Sequence, residues 1–231
     1  MEIKRRKRAP ERPIDNPVRH AGLKTGYECK LLSADHPWQP FVTFHTTNEF
    51  AGLERRFHKH CGPTAITNVL CTIARRRRLE SILQLPPEEI FRRVAAMGQH
   101  RATYWNIKDS IPLGGTSYAL LWAYVHACLR RFGVGDVQTA GRLVASPQTM
   151  AREIRRGSLL ILSLYHHRCY GSHIVVAYGA VEVAVAGRMA PRLYLEVADG
   201  WTGRPRYIAA EDLKNCGYVA VRPGENGKNS C

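Results

Sequence analysis

The spacing of apolar positions divides the chain into a helical front half and a strand-rich back half. Between residues 61 and 77, apolar side chains recur at intervals of three and four, which is typical of a helix with one buried face. After Gly157 the apolar residues become continuous or alternating, which is typical of buried strands. Helices and strands segregated in this way predict an α+β fold, with the helical half packed on an antiparallel sheet.

Start and stop signals predict four helices in the front half. Pro87 and Pro147 suit the first turn of a helix, and Ser146 is the expected N-cap of the last one. Gly133 and Gly157 are the expected stops of the third and fourth helices. The four helices are predicted over residues 61–77, 86–98, 116–132 and 147–157.

Five strands are predicted in the back half, arranged as an antiparallel meander. They cover residues 159–164, 173–185, 193–197, 207–208 and 218–221, with one helical turn at residues 210–213. In the front half, the alternation over residues 41–45 predicts one further short strand. Residues 27–40 are expected to be irregular.

The ends of the chain are predicted to flank a single domain. Residues 1–22 contain runs of charge and three prolines, which predict a flexible basic arm. The glycine-rich residues 224–231 predict a disordered tail. Residues 23–223 then form one domain, and a hydrophobic content of 45% suits a packed core.

Hydropathy and cysteine content bear on the compartment. No apolar run approaches the roughly 18 residues of a membrane-spanning helix, so we expect no membrane span. The basic start is followed by Pro10 and further charges, where a signal peptide needs an apolar segment. Seven cysteines without regular spacing suit free thiols in a reducing compartment. We therefore expect a cytoplasmic protein.

A net charge of +15 is the one extreme of the composition. Such a charge is typical of proteins that bind nucleic acid. Much of it lies in two runs, residues 4–8 in the predicted arm and residues 75–78 in the last turns of a helix, where cations complement the helix dipole. Because no nucleic-acid motif accompanies either run, nucleic acid is not the expected partner, and acidic peptides remain an alternative.

Cys61 stands at the start of the first predicted helix and is the candidate nucleophile. Gly62 allows a tight entry, and Pro63 fits the first turn because it has no N–H to satisfy. A thiol at this position lies near the positive end of the helix dipole and near unpaired N–H groups, which both favour the thiolate. Taken alone, such a cysteine is more often an inert packing residue.

His173 and Asp199 lie on consecutive predicted strands. A turn at Ala186-Gly187 would place each of them 13 residues from Ala186, and so opposite each other. Cβ atoms of opposed residues are about 4.5–5.5 Å apart, close enough for a carboxylate to accept a hydrogen bond from an imidazole. A bulge would shift this register. Taken alone, the two fit an ordinary histidine and a turn residue, but with Cys61 they supply a nucleophile, a base and an orienting group.

Three segments, in this order, resemble the catalytic blocks of papain-like cysteine peptidases. They are Cys61-Gly62-Pro63-Thr64-Ala65, Gly171-Ser172-His173-Ile174-Val175-Val176-Ala177-Tyr178-Gly179 and Val197-Ala198-Asp199-Gly200-Trp201. The resemblance spans about residues 40–221 and is nearest to bacteriocin-type double-glycine leader peptidases of bacteria and their stand-alone relatives. It implies a papain-like fold with Cys61 as nucleophile, His173 as general base and acid, and Asp199 as orienting group.

One position departs from the family pattern. The family usually places a glutamine about six residues before the cysteine, where it donates a hydrogen bond to the oxyanion, and here that position is Arg55. The N–H of Cys61 remains as one donor, and Asn48, His58 or His60 are candidates for the second. Loss of one such donor typically costs on the order of 100- to 1000-fold in rate.

The sequence therefore predicts a cysteine peptidase or amidase that hydrolyses a bond of a peptide or protein substrate. A papain-like acyltransferase and a catalytically inactive binding module remain alternatives, because a thioester accepts water or an amine and because the usual glutamine is missing. No cofactor is expected. No metal is expected either, since the spacing of His58, His60, His166 and His167 matches no common zinc pattern. Trp201 is expected to pack beneath the site.

Overall fold

The computed structural model describes residues 12–45, 56–107, 114–214 and 216–222. Within these ranges the fold is α+β, as predicted. The helices are α1 (Pro17–Thr25), α2 (Cys61–Arg77), α3 (Glu80–Leu83), α4 (Pro87–His100), α5 (Leu121–Arg131) and α6 (Pro147–Arg155). The strands are β1 (Cys29–Asp35), β2 (Tyr104–Trp105), β3 (Gly115–Thr116), β4 (Gln138–Arg142), β5 (Leu159–His167), β6 (Gly171–Val185), β7 (Arg192–Ala198), β8 (Arg206–Ala209) and β9 (Gly217–Arg222).

Seven of these strands form one antiparallel sheet in the order β4-β9-β5-β6-β7-β8, with β1 also paired to β6. The strands β5 to β8 follow one another as the predicted meander. The last strand, β9, returns to lie beside β5, and β4 pairs with its other edge. The strands β2 and β3 form a separate two-stranded sheet.

Helices cover both faces of the large sheet, and this explains its continuous apolar runs. In β5, Leu159 and Ile161 belong to the core that also contains residues of α2, α4 and α5. Leu160 and Leu162 point to the opposite face and belong to a second core with α6. Successive residues of a strand face opposite sides, so burial of both faces requires an apolar residue at every position.

Helix α2 carries Cys61 at its first position and is buried over most of its length. Its residues from Gly62 to Ala74 are all buried, and the helix contacts α4, α5 and the sheet. At Gly62 a Cβ atom would lie 2.1 Å from Oγ1 of Thr116. The glycine after the cysteine therefore allows β3 to lie directly against the tip of α2.

Most of the predicted helices agree with the structure. The positions of α2, α4 and α6 are confirmed to within a few residues, and Ser146 caps α6 by accepting a hydrogen bond from the N–H of Thr149. Helix α5 begins at Leu121 rather than at Thr116, because Gly115 and Thr116 pair with β2.

Residues 41–45 do not form the predicted strand. Their main chain runs beside α2, where the N–H of Val42 donates to Oγ1 of Thr72 and the N–H of Phe44 donates to Oδ1 of Asn68. Two helix side chains thus take the hydrogen bonds that a neighbouring strand would provide. The strand of this region is β1, which lies within the stretch predicted to be irregular.

The predicted domain boundary at residue 22 falls inside α1. Asn16 caps this helix by accepting from the N–H of Arg19, and Ala21 is buried in a cluster with Val181 and Tyr194. Residues 1–11 of the predicted arm and the predicted tail at 224–231 lie outside the described residues. No helix in the described ranges combines the length and the apolar character needed to cross a lipid bilayer.

The β6–β7 hairpin has a different register from the predicted one. The ladder ends where Val176 pairs with Ala198, so His173 and Asp199 do not pair across it, and the register that would place them roughly opposite each other is not the observed one. The connection between the two strands is centred later than Ala186, which accounts for the difference, and the register shift at Tyr178 recovers only one residue of it. Asp199 follows the last paired residue and belongs to the turn after β7.

Candidate active site

A cleft at the N-terminal end of α2 collects all three residues singled out from the sequence. Its volume is about 510 Å³, and Cys61, His173 and Asp199 all line it. Helix α2 supplies the thiol, the start of β6 supplies the imidazole, and the turn after β7 supplies Asp199. Three elements that are distant in sequence thus meet at one opening.

Cys61 is half-buried, and main-chain N–H groups surround its sulfur. The N–H groups of Ile174 on β6, of Gly62 and of Cys61 itself lie near enough to Sγ to stabilise negative charge on it. These donors favour the thiolate and lower the pKa of the thiol, but burial has the larger effect and raises the pKa above its ordinary value. The resting thiol is therefore protonated at neutral pH, contrary to the expectation of a resting thiolate.

His173 is buried and held through one ring nitrogen. Its Nε2 lies 2.7 Å from the main-chain oxygen of Asp199. Because a carbonyl oxygen only accepts, Nε2 must carry the proton, and Nδ1 keeps its lone pair. The pKa of His173 is lowered to about 4, chiefly by burial and to a smaller extent by the nearby His60 and His167, while the hydrogen bond to the Asp199 carbonyl opposes the shift. The imidazole is thus neutral at rest.

Two aromatic rings hold the imidazole plane. Tyr170 stacks on His173 with ring centroids 5.7 Å apart and an angle of 9° between the planes. Trp201 contacts His173 with centroids 4.7 Å apart. Trp201 also lines the cleft, with 39% of its surface exposed, so it packs against the candidate base at the opening.

The carboxylate of Asp199 does not contact His173. Its Oδ1 accepts hydrogen bonds from the N–H groups of Trp201 at 2.9 Å and Thr202 at 3.2 Å, and so closes the turn that follows β7. Burial raises the pKa of this carboxyl, while the two N–H donors oppose the shift. The predicted carboxylate–imidazole hydrogen bond is therefore replaced by one from the imidazole to the main chain of the same residue.

Arg206 on β8 lies behind the Asp199 turn. Its Nε is 3.9 Å from Oδ2 of Asp199, too far for a hydrogen bond. Its Nη1 forms an ion pair with Asp15, just before α1. Oδ2 of Asp199 and Nε of Arg206 are both buried without a hydrogen-bond partner within the described part of the chain.

Cys61 and His173 share the cleft, but no hydrogen bond joins them in the described structure. The sulfur receives the N–H of Ile174, the residue that follows His173. Nδ1 of His173 likewise has no hydrogen-bond partner among the described residues. Catalytic hydrogen bonds are often long in the absence of substrate and tighten when substrate binds.

The candidate oxyanion donors differ in where they lie relative to the cleft. Asn48 lies outside the described residues, as does Arg55, which stands at the position of the family's glutamine. The N–H of His58 donates to the side chain of Asn106, away from the cleft. His60 does line the cleft, and its Nδ1 lies 3.0 Å from the main-chain oxygen of Phe57.

Tyr118 and Ser172 are residues of the cleft that sequence reasoning missed. The hydroxyl of Tyr118 donates to the main-chain oxygen of Leu164 at 3.2 Å and is hydrogen-bonded to Ser172. Burial raises the pKa of Tyr118 to about 12, and the neighbouring Cys61 contributes in the same direction. Tyr118 lay inside a predicted helix and gave no separate signal, whereas Ser172 directly precedes the candidate base.

No group of three His, Cys, Asp or Glu side chains in the described ranges is arranged to hold a metal ion. Comparisons of the chain with protein-family models and curated proteins, and with solved structures, give no match.

Proposed function

We propose that the protein is a cysteine peptidase or amidase in which Cys61 is the nucleophile and His173 the general base and acid. The observation that carries the proposal is the cleft that holds a thiol at a helix start and an imidazole whose only proton is on Nε2. The helix packed on an antiparallel sheet and the order of the three segments support a papain-like architecture. The substrate is a peptide or protein.

The first half of the reaction forms a thioester. When a substrate carbonyl enters the cleft, Nδ1 of His173 takes the proton of the Cys61 thiol, and the sulfur attacks the carbonyl carbon. The N–H groups of Cys61, Gly62 and Ile174 already face the sulfur and stabilise negative charge there. As the carbon–nitrogen bond breaks, the His173 imidazolium returns the proton to the departing amine.

The second half hydrolyses the thioester. His173 takes a proton from water, the resulting hydroxide attacks the acyl carbon, and the proton returns to the sulfur as the carboxylic acid leaves. If an amine replaces water in this step, the product is a new amide and the protein is an acyltransferase. Tyr118 has a hydroxyl at the cleft and is a candidate donor to the oxyanion.

Asp199 is a positioning residue in this mechanism. Its main-chain oxygen holds the proton on Nε2 of His173 and so leaves Nδ1 as the proton acceptor. Its carboxylate fixes the turn from which that oxygen is presented. Orientation of the base thus depends on the backbone of the turn.

A binding module without catalysis is the second candidate, and specific observations favour it. Burial raises the pKa of Cys61 and lowers that of His173 to about 4, and no hydrogen bond joins the two within the described structure. An inert thiol in such a cleft would leave a surface that holds a peptide without cutting it.

Alkylation of the thiols by iodoacetamide distinguishes the two candidates. At pH 7 we expect Cys61 to react faster than the half-buried Cys29 and Cys169, which serve as internal controls, because Nδ1 of His173 takes the proton of the resting thiol as the sulfur attacks the reagent. Because a general base contributes at least about 100-fold, His173→Gln should slow Cys61 by a factor of that order and leave the controls unchanged. The modified cysteines are identified by mass spectrometry of tryptic peptides. Equal rates at Cys61 in both proteins would contradict the proposal.

Digestion of a peptide library then identifies the reaction. The wild-type protein should release shortened peptides, and Cys61→Ser should release none. The same incubation with added primary amines should give no amide products. Amine adducts in place of hydrolysis would establish the acyltransferase instead.

A further inference from the structure

Two hollows continue the cleft along the surface of α5. The first, of about 550 Å³, shares Tyr118 and Tyr165 with the cleft that holds Cys61. The second, of about 580 Å³, shares Trp122 with the first. The three cavities are therefore neighbours, and they follow one another from the candidate nucleophile to the residues at the end of α5.

The first hollow is an aromatic trough, which we define by Tyr118, Trp122, Tyr165 and Tyr218. Trp122 is 46% exposed, yet its orientation is fixed, since its Nε1 donates to the main-chain oxygen of Thr139 on β4. Its ring also stacks on His126, with centroids 5.5 Å apart and an angle of 16° between the planes. An exposed ring held in one orientation is suited to bind an apolar or aromatic side chain.

The second hollow is an arginine face, which we define by Arg101, Arg130 and Arg131. All three side chains are exposed, and none of them forms an ion pair within the described part of the chain. No acidic residue among those that the structure describes lines either hollow. Arg142, at the edge of the trough, adds a fourth positive charge, and it is hydrogen-bonded to Tyr218.

We infer that this surface binds an acidic segment of the polypeptide substrate, on one side of the bond that Cys61 cleaves. The inference rests on the proposed function, because the cleft fixes where the scissile bond lies. A substrate chain would place apolar or aromatic side chains in the aromatic trough and carboxylates on the arginine face. Guanidinium groups bind carboxylates through paired hydrogen bonds, and unpaired arginines on one face favour a segment with several acids.

The continuity of the surface favours a polypeptide over a nucleic acid. An oligonucleotide would also bind arginines and stack on Trp122. However, the trough leads directly into the cleft with the thiol, where a peptide carbonyl is the group to be attacked. The arginines of this face are part of the net charge of +15, and in this proposal they bind the substrate.

Binding is tested by fluorescence anisotropy on the full chain. The probes are fluorescein-labelled hexaglutamate, hexaglutamine and hexathymidylate. We expect hexaglutamate to bind, hexaglutamine not to bind, and the affinity for hexaglutamate to fall as salt screens the arginines. Binding of hexathymidylate more tightly than hexaglutamate would overturn the inference in favour of nucleic acid.

Charge reversal localises the site. Arg130→Glu combined with Arg131→Glu should weaken hexaglutamate binding by about tenfold, since two exposed ion pairs together contribute on the order of 1–2 kcal/mol. Arg92→Glu combined with Arg188→Glu is the matched control, because it changes the net charge equally and both are exposed arginines that line neither hollow. Equal losses in the double variant and in the control would overturn the inference.

Cleavage and alkylation separate this inference from the proposed function. Peptides cleaved from a library should be enriched in acidic residues at a fixed distance on one side of the cut, and the double variant should lose this enrichment. Iodoacetamide should label Cys61 equally in both proteins. Rapid labelling without enrichment or hexaglutamate binding would refute the arginine face alone, whereas slow labelling of Cys61 would refute the proposed nucleophile.

Discussion

At the scale of single residues, Asp199 divides its two polar groups between two tasks. The main-chain oxygen accepts from His173, and the carboxylate accepts from the N–H groups of Trp201 and Thr202. An asparagine side chain has one oxygen in the position of Oδ1 and can accept the same two hydrogen bonds. The negative charge of Asp199 is therefore dispensable for the turn.

We predict that Asp199→Asn keeps the reactivity of Cys61 within about tenfold of wild type. In enzymes whose carboxylate contacts the catalytic histidine, the same change costs about 10⁴-fold, because the histidine adopts the wrong tautomer. Here the carbonyl still holds the proton on Nε2. The measurement is the rate of Cys61 alkylation at pH 7. If the alkylation rate falls by about 10³-fold or more in a variant that still folds, the carboxylate itself orients His173.

Thermal unfolding across pH provides a second measurement on the same variant. Burial raises the pKa of Asp199 above its ordinary value of 3.8, so the native state binds this proton more tightly than the unfolded state. The stability that this group contributes is present at low pH and is lost as the pH rises through the raised pKa. An asparagine side chain does not ionise, so the variant should not lose this stability. The melting temperature of Asp199→Asn should therefore rise relative to that of the wild type between about pH 4 and pH 7.

At the scale of elements, the contact between α2 and β3 sets the position of the nucleophile. Gly62 follows Cys61 directly, and its missing side chain leaves the room that Thr116 occupies. The φ angle of Gly62 is not in the left-handed region, so alanine would be acceptable to the helix backbone. Any effect of Gly62→Ala must then come from the contact with Thr116.

We predict that Gly62→Ala lowers the free energy of unfolding by about 1–3 kcal/mol, the usual range for overpacking. It should also change the alkylation rate of Cys61, because β3 must move away from the helix tip. Urea denaturation measures the first effect. The rescue variant combines Gly62→Ala with Thr116→Gly, which removes the three atoms closest to the new methyl group. If the change in unfolding free energy of the double variant equals the sum of the changes in the two single variants, the contact with Thr116 does not cause the destabilisation by Gly62→Ala.

The elements that could be predicted from the sequence are those with signals of their own. Helix α6 has Ser146 and Pro147 at its start, and α2 has an apolar face. Strand β4 had no such signal, because Gln138–Arg142 is mostly exposed and is a strand only by virtue of its pairing with β9. Residues 41–45 had a strand pattern, but Asn68 and Thr72 take their N–H groups. Tertiary partners, which the local pattern does not contain, decided both cases.

At the scale of the whole molecule, the sheet is most protected where helices cover both of its faces. Strand β5 lies between β6 and β9 and is buried at most positions, while β4 forms an exposed edge. Regions with many buried contacts open only in global unfolding, and exposed edges open locally.

We predict that amide hydrogen exchange is slowest in β5 and in the adjoining part of β6, and fastest among the sheet strands in β4. The expected order follows from burial and from the hydrogen bonds that β5 makes on both sides. Mass spectrometry of peptic fragments after deuterium labelling measures it. Protection of β4 equal to that of β5 would mean that the edge opens only with the whole sheet.

The convergence of the three site residues could be predicted from the sequence, but their contacts could not. Chain order and the helix-then-strand pattern indicated that Cys61, His173 and Asp199 belong together, and all three line one cleft. The atoms that meet depend on a register shift at Tyr178 and on the turn after β7. Counting from a turn at Ala186-Gly187 gave the wrong pairing, because the connection between β6 and β7 is centred later in the chain.

The ion pair of Arg206 with Asp15 has a consequence for proteolytic processing. Arg206 reaches the N-terminal segment with one nitrogen and lies 3.9 Å from the Asp199 carboxylate with another. A protease that trims the chain to the start of α1 would remove Asp15 and leave the guanidinium free to approach Asp199. The stronger positive field would favour the ionised carboxylate at the turn that presents the oxygen bound by His173. Trimming of the amino terminus would thus change the ionisation of the turn that holds His173 without changing any residue that lines the cleft.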